Sequence, residues 1–193
     1  MSESLDTLLP AIRACRLCEA CLPLEPRPIL QAHPQSRILI AAQAPGTRAH
    51  DTWLPFNDPS GDRLRSWLGV SRETFYTPEC FALAPMGFCY PGRGKSGDLP
   101  PRPECAPTWR PALLAGLEQV QLTLVIGQYA QAWHFDGPPM AVTERVRAWR
   151  DYWPEVLPTP HPSPRNNIWL RRHPWFEEEV VPALRERVAQ LLG

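Results

Sequence analysis

The sequence predicts a three-layer α/β/α domain built on a short four-stranded parallel sheet. Two observations lead there. Four short apolar segments, "RILIAA", "CFALA", "QLTLVIG" and "EVLPT", read as strands, and the first is an unbroken apolar run of the kind covered on both faces. Between and around them lie segments with apolar residues at helical spacing, and strand alternating with helix is the pattern of a parallel sheet joined by crossover helices.

In chain order, "LDTLLPAIRAC" carries Leu5, Leu8, Leu9 and Ile12 on one helical stripe. The first strand then ends at Pro45 and Gly46 in a loop that runs through "AQAPGTRAHDTWLPFNDPSGD", and loops at the carboxyl ends of parallel strands commonly carry sites. "SGDRLRSWLGV" spaces Leu64, Trp67 and Leu68 as a helix, with Ser60 or Asp62 near its start and Gly69 as its stop. "CFALAPM" is the second strand. "GFCYPGRGKSGDLPPRPEC" after it is too rich in Pro and Gly for regular structure and long enough to need outside support. "TWRPALLAGLEQV" reads as helix, "QLTLVIG" as the third strand, and "QYAQAWHF" and "TERVRAWRDYW" as helices. "EVLPTPHPSPRN" gives a short fourth strand entering a stiff loop, and residues 175–192 an amphipathic helix with a kink expected at Pro182.

The 193 residues suit one domain, taken as 1–193, with neither repeat nor linker. Lys plus Arg equals Asp plus Glu at 20 each, so no global field attracts a polyanion and any such site must be local. There is no signal-like start and no apolar stretch long enough for a membrane, which points to a cytoplasmic protein with no membrane partner. In a reducing compartment the cluster "CRLCEAC" favours metal ligation or reactive thiols over disulfides. Cys89 and Cys105, one near each end of the long Pro/Gly segment, could tether it. Four thiolates can hold either an iron–sulfur cluster or a zinc ion, and spacing does not choose between them.

Two loops carry a resemblance: Ala42, Gln43, Ala44, Pro45 and Gly46 followed by Pro55 and Phe56, and His161 and Pro162 in "PHPSPRN". With the cysteine layout, they make the chain resemble the uracil-DNA glycosylase superfamily, closest to its iron–sulfur (family four) branch. The resemblance implies that Cys15, Cys18, Cys89 and Cys105 ligate a structural 4Fe-4S cluster, with zinc as the alternative, and leaves Cys21 and Cys80 over. It implies a monomeric DNA-repair glycosylase that binds DNA containing a damaged base, flips a deaminated base, first of all uracil, and hydrolyses its N-glycosidic bond. Phe56 would stack on the base, and the amides at Gln43 and Ala44 would bind its oxygens. His161 would donate to the oxyanion developing on the base. Ser163 would meet phosphate, Arg165 would fill the gap left by the flipped nucleotide, and Arg171 and Arg172 would form a local basic patch. The branch reads uracil with an Asn where this chain has Ala84, so relaxed base choice is expected, with Asn57 as a substitute. Asp51 and Asp58 are the candidates to orient water. Two alternatives accompany this reading: a superfamily member that binds nucleic acid with little or no catalysis, and a glycosylase for another base.

Overall fold

The computed structural model describes residues 4–193. Its strands are β1 (Ile38–Ala41), β2 (Phe81–Leu83), β3 (Leu122–Ile126) and β4 (Val156–Thr159). They form one sheet in the order β2-β1-β3-β4, and every neighbouring pair is parallel. All four fall where the apolar segments placed them.

The helices are α1 (Leu5–Arg13), α2 (Thr47–Thr52), α3 (Pro59–Leu68), α4 (Arg72–Phe75), α5 (Cys105–Ala115), α6 (Gly127–His134), α7 (Val142–Arg147), α8 (Asn167–Arg172) and α9 (Val181–Leu192). Alternation along each strand divides the core between the two faces of the sheet. Ile38, Ile40, Phe81, Leu83, Leu122, Leu124 and Leu157 pack with Leu64, Trp67, Phe176 and Leu184, which come from α3, the turn before α9, and α9. Leu39 and Ala82 pack on the opposite face with Leu5, Leu8 and Ile12 of α1 and Leu113 of α5. Farther along that face Ala41 and Val125 meet Ala130 of α6. The α/β fold with three layers is therefore present.

Three helical boundaries differ from the sequence reading, each for a local reason. The cap of α3 is Asp58, whose carboxylate accepts the Gly61 N–H at 2.9 Å, so Pro59 falls in the first turn where its missing N–H costs nothing and Ser60 lies inside the helix. The segment expected as one helix over "TERVRAWRDYW" stops at Arg147 and continues as a 3₁₀ turn over Trp149–Asp151. Pro182 is accommodated by a π-helical turn over Phe176–Val180 leading into α9, because a proline cannot donate to the carbonyl one turn back. Among the described residues no helix is long and apolar enough to cross a membrane.

Phe176 lies in that π-turn with no exposed surface and stacks edge-on against Trp67 at 4.9 Å. Phe176→Ala should lower the unfolding free energy by about 3–5 kcal/mol, read as a shifted midpoint in guanidinium chloride. A midpoint within error of the parent would show that the α3–α9 layer repacks around the loss.

Candidate functional site

Strand order dictates where a site can form. The chain crosses from β1 to β2 on one side and then returns to place β3 on the other, so the crevice at the carboxyl ends lies at a topological switch point. An open cleft of about 830 Å³ is found there, and loops from all four strands line it: Gln43 to Gly46 after β1, Pro85 after β2, Gln128 and Tyr129 after β3, and His161 and Ser163 to Asn166 after β4.

Phe56 forms one wall. It holds a left-handed backbone conformation (φ 55°), its ring meets Phe75 edge-on at 6.1 Å, and its carbonyl accepts from Arg65 Nη1 at 3.2 Å. A Cβ on Gly61 would fall 1.7 Å from that carbonyl, so only glycine lets α3 pass this close.

His161 stands on another wall. The Ser163 N–H donates to its Nδ1 at 3.1 Å, which leaves the proton of the neutral ring on Nε2. Burial lowers the His161 pKa, against a smaller upward pull from the Asp58 charge, so the ring is neutral at pH 7. The loop is held from α3: Arg63 Nη1 donates to the carbonyls of Pro162 (3.3 Å) and Ser163 (3.1 Å), and Nη2 to Asn167 Oδ1 at 2.7 Å. Asn166 donates to the His161 carbonyl at 2.7 Å. The flanking prolines and these bonds fix the imidazole before any ligand arrives.

The long Pro/Gly segment closes the remaining side as a strap. Gly94 and Gly97 pair across a turn, Gln43 Nε2 donates to the Leu99 carbonyl at 2.8 Å, and Arg165 Nη1 donates to the Ser96 carbonyl at 2.9 Å. Its outside support thus comes from two of the expected site residues. Arg165, expected to fill the gap left by a flipped nucleotide, here reaches across the cleft to the strap.

Of the expected residues, Gln43, Ala44, Phe56, Asp58, His161, Ser163 and Arg165 line the cleft, and four do not. Asp51 is exposed on α2, a helix that sequence reading placed in a loop. Asn57 joins neighbouring helices instead, donating to Thr52 Oγ1 at 3.1 Å and accepting from Arg72 at 2.8 Å. Arg171 and Arg172 are exposed in the last turn of α8, outside the cleft lining. The strap brings in Lys95 and Asp98, which no sequence motif had singled out.

Beneath the cleft, Ala84 is fully buried in the α1/α5 core, and its carbonyl accepts from Arg110 Nη1 at 2.7 Å. Arg110 is itself fully buried, reaches the Pro85 carbonyl at 3.3 Å, and donates to His134 Nε2 at 2.7 Å. Ala84 therefore contributes a buried methyl group and lies outside the cleft lining.

Cys15, Cys18, Cys89 and Cys105 line one pocket on the α1/α5 side, together with Arg102 and Trp109. Cys21 is exposed and Cys80 precedes β2, neither of them in that lining. Burial pushes the Cys89 thiol up to about 11 and Cys105 to about 12, so without a cation both stay protonated. Among the described residues no three Cys, His, Asp or Glu side chains converge on a point where one ion could sit. A tetrahedral zinc at ~2.3 Å needs its sulfurs within about 4 Å of one another. A four-iron cluster takes one thiolate on each iron and accepts a wider ring. Four cysteine thiols lining one pocket are the donor chemistry that either group would use.

The family model described as "Uracil DNA glycosylase superfamily" matches residues 31–185. That span holds all four strands, every cleft loop, Cys89 and Cys105; Cys15 and Cys18 lie before it.

The buried Arg110–His134 contact gives a pH prediction. Burial first, and the Arg110 charge second, hold the His134 pKa down at about 4. The unfolded chain binds a proton there near pH 6.5 while the folded one does not, so this stability is intact above about pH 6.5 and is lost as pH falls toward 4. The loss amounts to about 3 kcal/mol at the low end. Denaturation midpoints measured from pH 7 to 4.5 should fall, and His134→Gln, which keeps an acceptor for Arg110, should flatten the slope. An unchanged slope in that variant would assign the pH dependence elsewhere.

Proposed function

Because the chain belongs to the uracil DNA glycosylase superfamily, whose members are in general DNA glycosylases, we propose that the cleft takes a damaged base flipped out of DNA and hydrolyses its N-glycosidic bond. The observation that carries this reading is the tautomer of His161: Nδ1 is engaged by Ser163, so a neutral Nε2–H donor is available in a cleft lined on another side by an aromatic ring. As the C1′–N bond breaks, its electron pair moves onto the base and negative charge grows on the base carbonyl. A fixed donor stabilises that charge without reorganising. Phe56 would hold the base by stacking, and Ser163 and the rim arginine Arg165 would meet the phosphates beside it.

Uracil is the first candidate base. With a buried methyl at Ala84 and Asn57 engaged by Thr52 and Arg72, neither reads a base edge, and a pocket without such a contact discriminates less. Other deaminated bases are therefore expected among the substrates.

Cys15, Cys18, Cys89 and Cys105 would hold a 4Fe-4S cluster. Bound there it would supply a structural tie, joining the N-terminal segment to both ends of the strap. Protein prepared without oxygen should be brown and contain about four irons and four sulfides per chain. One zinc and no iron would replace the cluster by an ion; no metal would remove both.

The function is tested with single-turnover cleavage of oligonucleotides bearing a panel of deaminated bases. At least one should be cut, and His161→Ala should slow that cut by about 100- to 1,000-fold with DNA binding and fold retained, as for loss of one oxyanion donor. Binding with no cleavage of any base would favour a nucleic-acid-binding module. Cleavage by His161→Ala at the parental rate would remove this loop from the chemistry.

A further inference from the structure

Hydrolysis also needs an acceptor for the proton of the attacking water, and the acidic residues near the cleft can be separated by what already engages them. Asp51 is exposed on α2, outside the cleft lining. Asp62 is paired with Arg65 at 2.6 Å. Asp58 lines the cleft, but its carboxylate caps α3 through the Gly61 N–H. Asp98 is the other acidic residue in the lining.

Resting on the glycosylase reading, we propose that Asp98 is the carboxylate that positions the attacking water and takes its proton. Asp98 sits on the strap beside the Pro45–Gly46 turn, and its Oδ2 would be 3.4 Å from a Cβ built on Gly46, so the bare glycine leaves the carboxylate against the β1 loop with no side chain between. Gln43 engages two consecutive strap carbonyls, that of Leu99 (2.8 Å) and more distantly that of Asp98 (3.5 Å). Arg165 fixes Ser96 two residues earlier. Among the described residues no donor is bonded to the Asp98 carboxylate itself, so its main chain is held while its side chain is left to a ligand.

Charged groups face it from several elements: Arg93 on the strap, Arg165 after β4, and Asp58 at the start of α3. Partial desolvation raises the carboxyl's pKa, the two arginines pull it down, and Asp58 raises it again, which favours proton acceptance over an ordinary surface Asp. In the step itself, the water oxygen bonds to C1′ as the C1′–N bond breaks, the water proton passes to Asp98 and then to solvent, and the departing base takes a proton from solvent. The same negative charge offsets the positive charge that develops on the sugar.

Asp98→Asn tests this, because it keeps the shape of an exposed side chain and removes only the base. On whichever base the parent cleaves, single-turnover cleavage should fall by about 100-fold or more, while DNA binding holds or tightens. The parental rate should also decline as pH is lowered through the carboxyl titration, and that acid limb should vanish in Asp98→Asn. Asp51→Asn should keep the parental rate. Full activity in Asp98→Asn overturns the proposal, as does a slowed variant that keeps the acid limb. Loss of the limb in Asp58→Asn, which preserves the cap, would move the role to Asp58 and also overturn it. A parent that binds DNA and cleaves no base sinks the glycosylase reading itself, and the Asp98 proposal with it.

Discussion

The parallel direction of the four strands is the constraint on which the rest depends. Because all four run the same way, their carboxyl ends deliver their loops to one edge of the sheet, and a chain that reverses its winding between β2 and β3 leaves an opening there. The crossovers that parallel pairing requires supply helices on both faces, and these bury Ile38 and Ile40 on one side and Leu39 on the other. The side chains that line the cleft can then sit on irregular segments, since each segment is anchored at a buried strand.

Arg110 shows what that anchoring demands in the interior. The chain leaving β2 presents two carbonyls, at Ala84 and Pro85, to the buried interior. A guanidinium from α5 satisfies both and passes its remaining contact to a neutral imidazole at His134. Desolvation is severe enough to lower Arg110 to about 10, so this cation is held by dipoles alone. Helix α5, which begins at Cys105 and carries Arg110, also lines the cysteine pocket.

Most of the sheet was legible in the sequence, because burial leaves an apolar signature that needs no partner to be seen. The β1 and β3 runs and the stripe of α1 are of this kind. Helices α2, α4 and α8 were not legible as such: four to six residues make less than two turns, too few to show a period, and their formation depends on tertiary packing. His161 and Phe56 could be found because proline-rich motifs mark them. Asp98 could not, since only the folding of the strap across the cleft brings it beside Gly46. Arg110 was hidden for the opposite reason, as an arginine in a helix reads as surface until its burial is known. The four cysteines that spacing and resemblance singled out line one pocket, whereas Asp51 and Asn57 lie outside the cleft because a loop reading gives no direction to side chains.

Helix α3 serves both sides of the cleft at once. Asp58 and Gly61 set its first turn under the Phe56 carbonyl, Arg65 holds that carbonyl, and Arg63, between them, holds the His161 loop. Each residue step around a helix turns the side chain by about 100°. A single insertion or deletion within the ten residues of α3 would therefore swing one set of contacts away whichever end stayed fixed. Descendants of this sequence are free to change surface charge by small steps, but the aromatic wall and the imidazole wall must be inherited together.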